Sequence, residues 1–254
     1  MKQVAVITGA SSGMGREFVK QLLEGTSSLD EYWLIARRKE VLLEIAAKYP
    51  DKKIWILSLD LEQEESWKEY KKKLEKYTPS IALLINAAGY GKIGSCSEIP
   101  WWEQTGMIRL NCEALTAITQ LTIPYMKKGG RIIEVASASA FVPQPGFNVY
   151  AASKAYVLSY SRALNRELKK KHISVTAVCP GPVETEFFQR AEERKKTPAY
   201  KKLFRASKER VVKKALRDAD RRKEVSVYGG SIKAMRAAVK VVPHRLILKG
   251  FRSS

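Results

Sequence analysis

The sequence predicts a single α/β domain spanning residues 1–254, built on a doubly wound parallel sheet of about seven strands. Three observations carry that expectation. Short, nearly continuous apolar runs alternate with amphipathic helical stretches, the pattern of strands buried on both faces and joined by helical crossovers. Residues with chemical potential fall just past the ends of those runs, where such sheets bind ligands. A chain of 254 residues is long enough for one large core and too short for two ordinary domains.

The first strand, Val4–Ile7, runs into Thr8-Gly9-Ala10-Ser11-Ser12-Gly13-Met14-Gly15 and then into the helical pattern of Arg16-Glu17-Phe18-Val19. A glycine-rich turn at a helix N-terminus aims bare backbone N–H groups at an anion, with the helix dipole behind them. Further strands are expected at Tyr32–Ala36, Ile54–Leu57, Ile81–Ile85, Arg131–Ala136, Ser174–Val178 and Val225–Tyr228. Helical spacing of apolar residues lies between them, as in Leu42-Leu43-Ile45-Ala46 and Tyr156-Val157-Leu158-Tyr160-Leu164. The layout is Rossmann-type. Residues 190–223 read as a charged, substrate-side insert, and 231–254 as a basic amphipathic tail.

Charge is lopsided. Of a formal net charge of +20, residues 190–254 contribute +15, from 21 basic and 6 acidic side chains. Such a surface favours anionic partners and says nothing about the fold. Nucleic acid is not the expected one, because the cations are scattered among helices without stacking aromatics and no nucleic-acid-binding motif occurs. Cys96, Cys112 and Cys179 read as reduced, buried thiols, and the chain as cytoplasmic, since the first strand begins too early to leave room for a signal peptide. Two histidines, His172 and His244, lack partner motifs for a metal site or a serine hydrolase.

One further motif stands out. Tyr150-Ala151-Ala152-Ser153-Lys154 opens a helix, so the tyrosine and lysine stack at i, i+4. A second match, Tyr49 to Lys53, is broken by Pro50 and cannot share a helical face. Ser137 closes the strand Ile132-Ile133-Glu134-Val135, thirteen residues before Tyr150.

Together these motifs resemble the short-chain dehydrogenase/reductase family, NADP-preferring type, over about residues 3–187. The spacing Gly9-x-x-x-Gly13-x-Gly15 is similar to its TGxxxGxG loop, which implies that Gly9, Ser11, Ser12, Gly13, Met14 and Gly15 hold a dinucleotide. Asp60, with Leu61, matches the family's adenine-contacting acid, and Asn86-Ala87-Ala88-Gly89 its NAG-type motif. Pro180, Gly181, Val183 and Thr185 match a segment that lines the nicotinamide. The resemblance further implies that Tyr150 is the proton donor, Ser137 (with Ser139 as runner-up) the carbonyl ligand, and Lys154 a ribose ligand. Lys154 and an oxidised nicotinamide would lower the Tyr150 pKa. Asn111 is implied to hold, through its main chain, a water that links Lys154 to solvent. Ala136, Ala140 and Gly106 depart from common family residues, and none touches a proposed catalytic side chain.

Arg37-Arg38-Lys39 stands where an acid would select NAD, and cations at a helix N-terminus need a bound phosphate to account for them. NADP is therefore the expected cofactor, and the family resemblance implies Arg37 first and Arg38 second as ligands of its 2′-phosphate. The expected reaction is hydride transfer between NADP(H) and a carbonyl or the matching alcohol; an NADP-sensing protein without turnover is the alternative. The substrate region is expected at Tyr90–Trp102 and residues 186–206, whose aromatics suit an apolar molecule, with Trp101 and Trp102 equally open to a core or interface role. Acyl ketones, steroid-like ketones and small aldehydes all fit that description, and acyl-CoA phosphates would suit the basic insert. In the tail, Ile232, Met235, Val239 and Val242 recur at helical spacing opposite Lys233, Arg236 and Lys240, until Pro243. Three placements are open for that stripe: a membrane surface, the chain's own domain, or a partner subunit in the homodimer or homotetramer the family usually forms through its long helices, here residues 101–127 and 150–171.

Overall fold

The computed structural model describes residues 2–25, 29–192 and 206–250. Its centre is a seven-stranded sheet in the order β3-β2-β1-β4-β5-β6-β7, with every pairing parallel. The strands are β1 (Gln3–Thr8), β2 (Glu31–Ala36), β3 (Lys53–Ser58), β4 (Ser80–Asn86), β5 (Met126–Val135), β6 (Ser174–Val178) and β7 (Val225–Ser226).

The two-residue periodicity of the strands feeds two cores. Ala5, Ile7 and Leu34 point to one face, against Phe18 and Leu22 of α1 (Gly13–Glu24), Leu42 of α2 (Lys39–Lys48) and Val212 and Ala215 of α8 (Lys208–Asp220). Val4, Val6, Trp33 and Ile35 point to the other. There they meet Tyr70 and Leu74 of α3 (Glu64–Tyr77), Ile118 of α5 (Leu115–Thr122) and Leu164 of α6 (Asn148–Glu167). Burial of both faces is why these strands read as unbroken apolar runs.

Two expected boundaries move. β5 begins five residues before Arg131, since Met126 pairs with Ile81 and the register shifts before Leu83 pairs with Arg131; it ends at Val135, leaving Ala136 outside. β7 is only Val225–Ser226, because it pairs on one side alone and Val227 turns away into a small core with Cys179 and Leu115. An interior carboxylate anchors this last strand. Asp218 of α8 accepts hydrogen bonds from Lys214 (2.6 Å), Lys223 (2.8 Å) and Ser226 Oγ (2.8 Å).

Between α4 (Trp101–Ile108) and α5 the helix widens to a π turn at Arg109–Ala114, and Asn111 sits inside it. Such turns are frequent at functional sites. The C-terminal segment forms α9 (Gly230–Ala238) and α10 (His244–Lys249), with α7 (Glu186–Ala191) preceding residues 193–205 of the charged insert, which lie outside the described residues. Cys112 and Cys179 are buried as expected, but Cys96 is exposed, because its loop runs over the surface before α4.

Candidate active site

The strand order reverses direction between β1 and β4, and a cavity of about 1000 Å³ opens along the carboxyl edge there. At one end lies the glycine turn. Gly9 has φ +67°, and a Cβ there would fall 2.7 Å from the backbone nitrogen of Ala88. Ser12 occupies the N-cap of α1 without using its side chain as a cap, and the helix's first turn carries no acid. Gly9, Ser11, Ser12, Gly13 and Met14 all line the cavity, and the strand-end residues Arg37, Arg38, Asp60, Leu61, Ala87, Ala88 and Gly89 continue the wall.

The two arginines are held differently. Arg38 donates from Nε to Ser11 Oγ (3.3 Å) and from its terminal nitrogens to Ser11 O (3.0 Å) and Glu186 (3.2 Å). It thus ties the glycine turn to α7 across the cleft. Arg37 faces Glu62 at 3.8 Å and is half exposed. Asp60 serves its own turn, accepting from Glu62 N at 3.1 Å, and also borders the cavity.

Three expected cofactor or catalytic residues lie behind the wall. Gly15 packs α1 on the turn, where a Cβ would meet Gly9 O at 2.2 Å. Asn86 is buried, bonding Thr119 (2.8 Å), Glu134 (3.3 Å) and, through Oδ1, Thr8. Asn111 clamps Tyr90 by both backbone groups, donating to its C=O (2.9 Å) and accepting from its N–H (3.0 Å), and also donates to Ser153. The clamp needs glycine beside it. A Cβ on Gly89 would sit 2.7 Å from Asn111 Oδ1 and 3.3 Å from Lys154 Nζ. One on Gly106 would lie 2.4 Å from the Tyr90 hydroxyl, which accounts for the glycine inside α4.

Ser137, Tyr150 and Lys154 meet at the cavity's centre. The Tyr150 phenol and the Ser137 hydroxyl share this centre, and Ser137 Oγ accepts from Ser139 N at 3.1 Å. Ser139 reaches the cavity wall as well. Lys154 donates to Val135 O at 2.8 Å, with Nζ 5.7 Å from the centre of the Tyr150 ring. Burial pushes the Tyr150 phenol up to about 12, opposed only by the nearby Ser137 hydroxyl. Lowering by Lys154, expected from sequence, is absent in the protein alone. The ammonium faces the ring, and burial brings its own pKa down to about 8 against the pull of Cys112, Glu134 and Cys179.

The other end of the cavity is apolar. Tyr90, Ile93, Leu110, Val142, Phe147 and Phe187 form its sides. Tyr150 stacks on Phe147 at 4.3 Å, and Gly91 allows the contact, since a Cβ there would meet both rings at under 3 Å. Ile232, Met235, Val239 and Ile247 close it from α9, the following turn and α10. The tail's apolar stripe therefore packs on its own chain; only Val242 of the expected four faces solvent. Trp101 and Trp102, by contrast, lie outside the cavity at 71% and 59% exposure. Pro180, Gly181, Val183 and Thr185 line it, and a Cβ on Gly181 would collide with Ile232.

Sequence reasoning passed over Glu134. It is an acid inside the doubly buried strand β5, and that incongruity was the available signal. Its Oε1 accepts from Thr119 Oγ1 at 2.9 Å, and burial raises its pKa to about 8 despite bonds from Thr119 and Asn86 and the charge of Lys154.

The family model described as short chain dehydrogenase matches residues 3–196. The chain belongs to the short-chain dehydrogenase family. This short-chain dehydrogenase is 31% identical over 204 residues to an uncharacterised oxidoreductase of Staphylococcus epidermidis, covering 78% of the chain and 86% of the relative. It is 28% identical to a protein named NAD-dependent glycerol dehydrogenase from Listeria innocua, over 74% of each chain. Among solved structures it resembles a short-chain dehydrogenase from Sphingobium yanoikuyae in complex with NADPH, with a TM-score of 0.81 and 28% identity, covering 100% of this chain and 98% of that one. It also resembles a bulky-bulky ketone specific alcohol dehydrogenase from Comamonas testosteroni, with a TM-score of 0.76 and 25% identity, over 99% and 95%. The chain is thus an oxidoreductase of this family, and its sheet is the Rossmann-type sheet expected from sequence.

Proposed function

We propose that this short-chain dehydrogenase reduces bulky apolar ketones with NADPH, using Tyr150, Ser137 and Lys154. The observation that carries the reading is the continuity of one cavity, from an acid-free helix N-terminus, past the three polar side chains, into an apolar chamber. The residues fit a dinucleotide: the Gly9 and Gly13 backbone sets the cradle, Arg37 and Arg38 suit a 2′-phosphate, and Asp60 and Leu61 suit the adenine side. Pro180, Gly181, Val183 and Thr185 would cover the nicotinamide. Bound NADPH would supply the hydride.

The chain's own groups do the rest. Tyr150 O–H gives its proton to the carbonyl oxygen, and the Ser137 hydroxyl hydrogen-bonds the same oxygen, orienting it and stabilising developing charge. Lys154 supplies positive charge beneath the tyrosine and a donor for a ribose hydroxyl. Asn111 positions the Tyr90–Gly91 wall against Tyr150. Support for a large apolar substrate comes from the chamber's lining and from the ketone named for the Comamonas testosteroni neighbour. Support for NADPH comes from the arginines and from the cofactor named for the Sphingobium yanoikuyae neighbour. Assembly through α4–α5 and α6 is part of the same reading, since Trp101, Trp102, Ile108 and Tyr156 are exposed there.

Cofactor oxidation across a ketone panel, with NADPH and NADH in parallel, tests the reading. Removing a charge-assisted hydrogen bond costs about 1.5–3 kcal/mol, so Arg38→Ala and Arg37→Ala are each expected to weaken NADPH by about tenfold or more. NADH affinity should change by less than about twofold in Arg37→Ala, whose side chain does not hold the glycine turn. Equal affinity of the wild type for the two cofactors would overturn the NADP assignment. Turnover only with small polar carbonyls would overturn the substrate class.

A pH profile gives an independent check. With Tyr150 raised to about 12 by burial, its proton is in place throughout the neutral range. Lys154, brought down to about 8, loses its charge as pH rises through that value. Ketone reduction is therefore expected to be level below about pH 8 and to fall above it; a level profile to about pH 10 would contradict the role given to Lys154.

A further inference from the structure

We propose that the elbow joining α9 to α10 docks on the surface of an anionic lipid bilayer and opens the apolar chamber toward it. The docking stands apart from the reductase reading; delivery of an apolar ketone through it rests on that reading.

The segment has two faces. Ile232, Met235, Val239 and Ile247 point inward and line the chamber, and Arg236 secures α9 by lying over the Phe141 ring at 5.8 Å. Turned outward are Val241, 80% exposed, and Leu246, 57% exposed, joined by Val242, whereas Leu248 borders a smaller cavity against α6. Three branched aliphatic side chains within six residues is a concentration that a free surface does not need. Lys233, Lys240, Arg245 and Lys249 flank them and are exposed, and no acidic residue follows Glu224.

What covers this face must accept aliphatic side chains and meet uncompensated positive charge. A bilayer with anionic headgroups does both: the valines and Leu246 enter the headgroup boundary while the lysine stems reach up to phosphate. Among the described residues no helix is long and apolar enough to cross a membrane, so the segment lies on the bilayer. Because its inner face is the chamber wall, contact at the elbow brings the chamber beside the phase in which bulky apolar ketones dissolve.

Co-sedimentation of the whole protein with vesicles at low salt tests this, using phosphatidylcholine alone and with added phosphatidylserine. The protein should pellet with phosphatidylserine vesicles and bind at least about tenfold more weakly to phosphatidylcholine alone. The double variant Val241→Ser/Leu246→Ser should lose about tenfold in vesicle affinity. Both residues lie outside the cavity, so turnover of a water-soluble aldehyde and the thermal midpoint should hold, while KM for a vesicle-dissolved ketone rises. Failure of the wild type to pellet, equal binding to neutral vesicles, or undiminished binding by the variant would overturn the proposal. So would a dimer that the double variant disperses, which would assign the face to a second copy of the chain. Pelleting by a protein that reduces no ketone would leave the docking standing and remove the reductase reading.

Discussion

Tyr150→Phe is expected to lower ketone reduction by about 10²–10⁴-fold, the range contributed by a positioned proton donor. The substitution removes one oxygen and little else. The ring keeps its stack on Phe147 and its contact with Phe187 at 5.3 Å. Ser137, deprived of the phenol, still accepts from the Ser139 backbone. Stability should therefore change by no more than about 1 kcal/mol, the net worth of one hydrogen bond, and NADPH binding by fluorescence titration should stay close to wild type. A variant that folds, binds and turns over at the wild-type rate would remove Tyr150 from the mechanism.

The second large effect is on stability. Asp218→Ala is expected to destabilise the protein by about 3 kcal/mol in urea unfolding, because it strands two ammonium groups and a hydroxyl around a side chain that is almost fully buried. Lys214 and Lys223 are partly exposed and regain water, which keeps the loss at the lower end of the range for buried pairs. The pH dependence follows from the same cluster. Burial alone would raise the Asp218 pKa, but bonds from Lys214, Lys223 and Ser226 outweigh it and bring the value from 3.8 to about 2. The folded value is the lower one, so this stability is complete above about pH 4 and is lost as pH falls toward about 2, an amount near 2 kcal/mol. A variant as stable as wild type at neutral pH, or one with an unchanged acid limb, would refute the anchoring of β7.

Where both faces of an element are buried, the sequence was easy to read. β1, β2, β4 and β6 show it, as does the glycine turn whose geometry depends on residues adjacent in the chain. Legibility failed where a side chain's surroundings come from distant segments. Nothing local marks the π turn at Arg109–Ala114, yet it is there that Asn111 grips Tyr90, twenty-one residues earlier. The spacing of Ile232, Met235 and Val239 showed a stripe, while its destination depended on the shape of a chamber built by α6, α7 and the β4 loop. Trp101 and Trp102 were undecided between a pocket wall and a core or interface role, because the helix position that turned them to solvent is not written in residue type. The phenol and ammonium pKa values likewise come from burial, which a spacing of four residues does not encode.

The glycine contacts around the reacting groups have a consequence for how this scaffold can diversify. Gly89, Gly91 and Gly106 fit so closely against Asn111, Tyr150, Phe147 and Tyr90 that the chamber's inner side tolerates almost no added bulk. Its outer side is different, for α9 and α10 contain no fully buried residue. Exchanges at Met235, Val239 and Ile247 can resize the chamber without disturbing either large core. New substrate preferences are therefore accessible through the C-terminal segment, while the chemistry stays locked on the opposite wall.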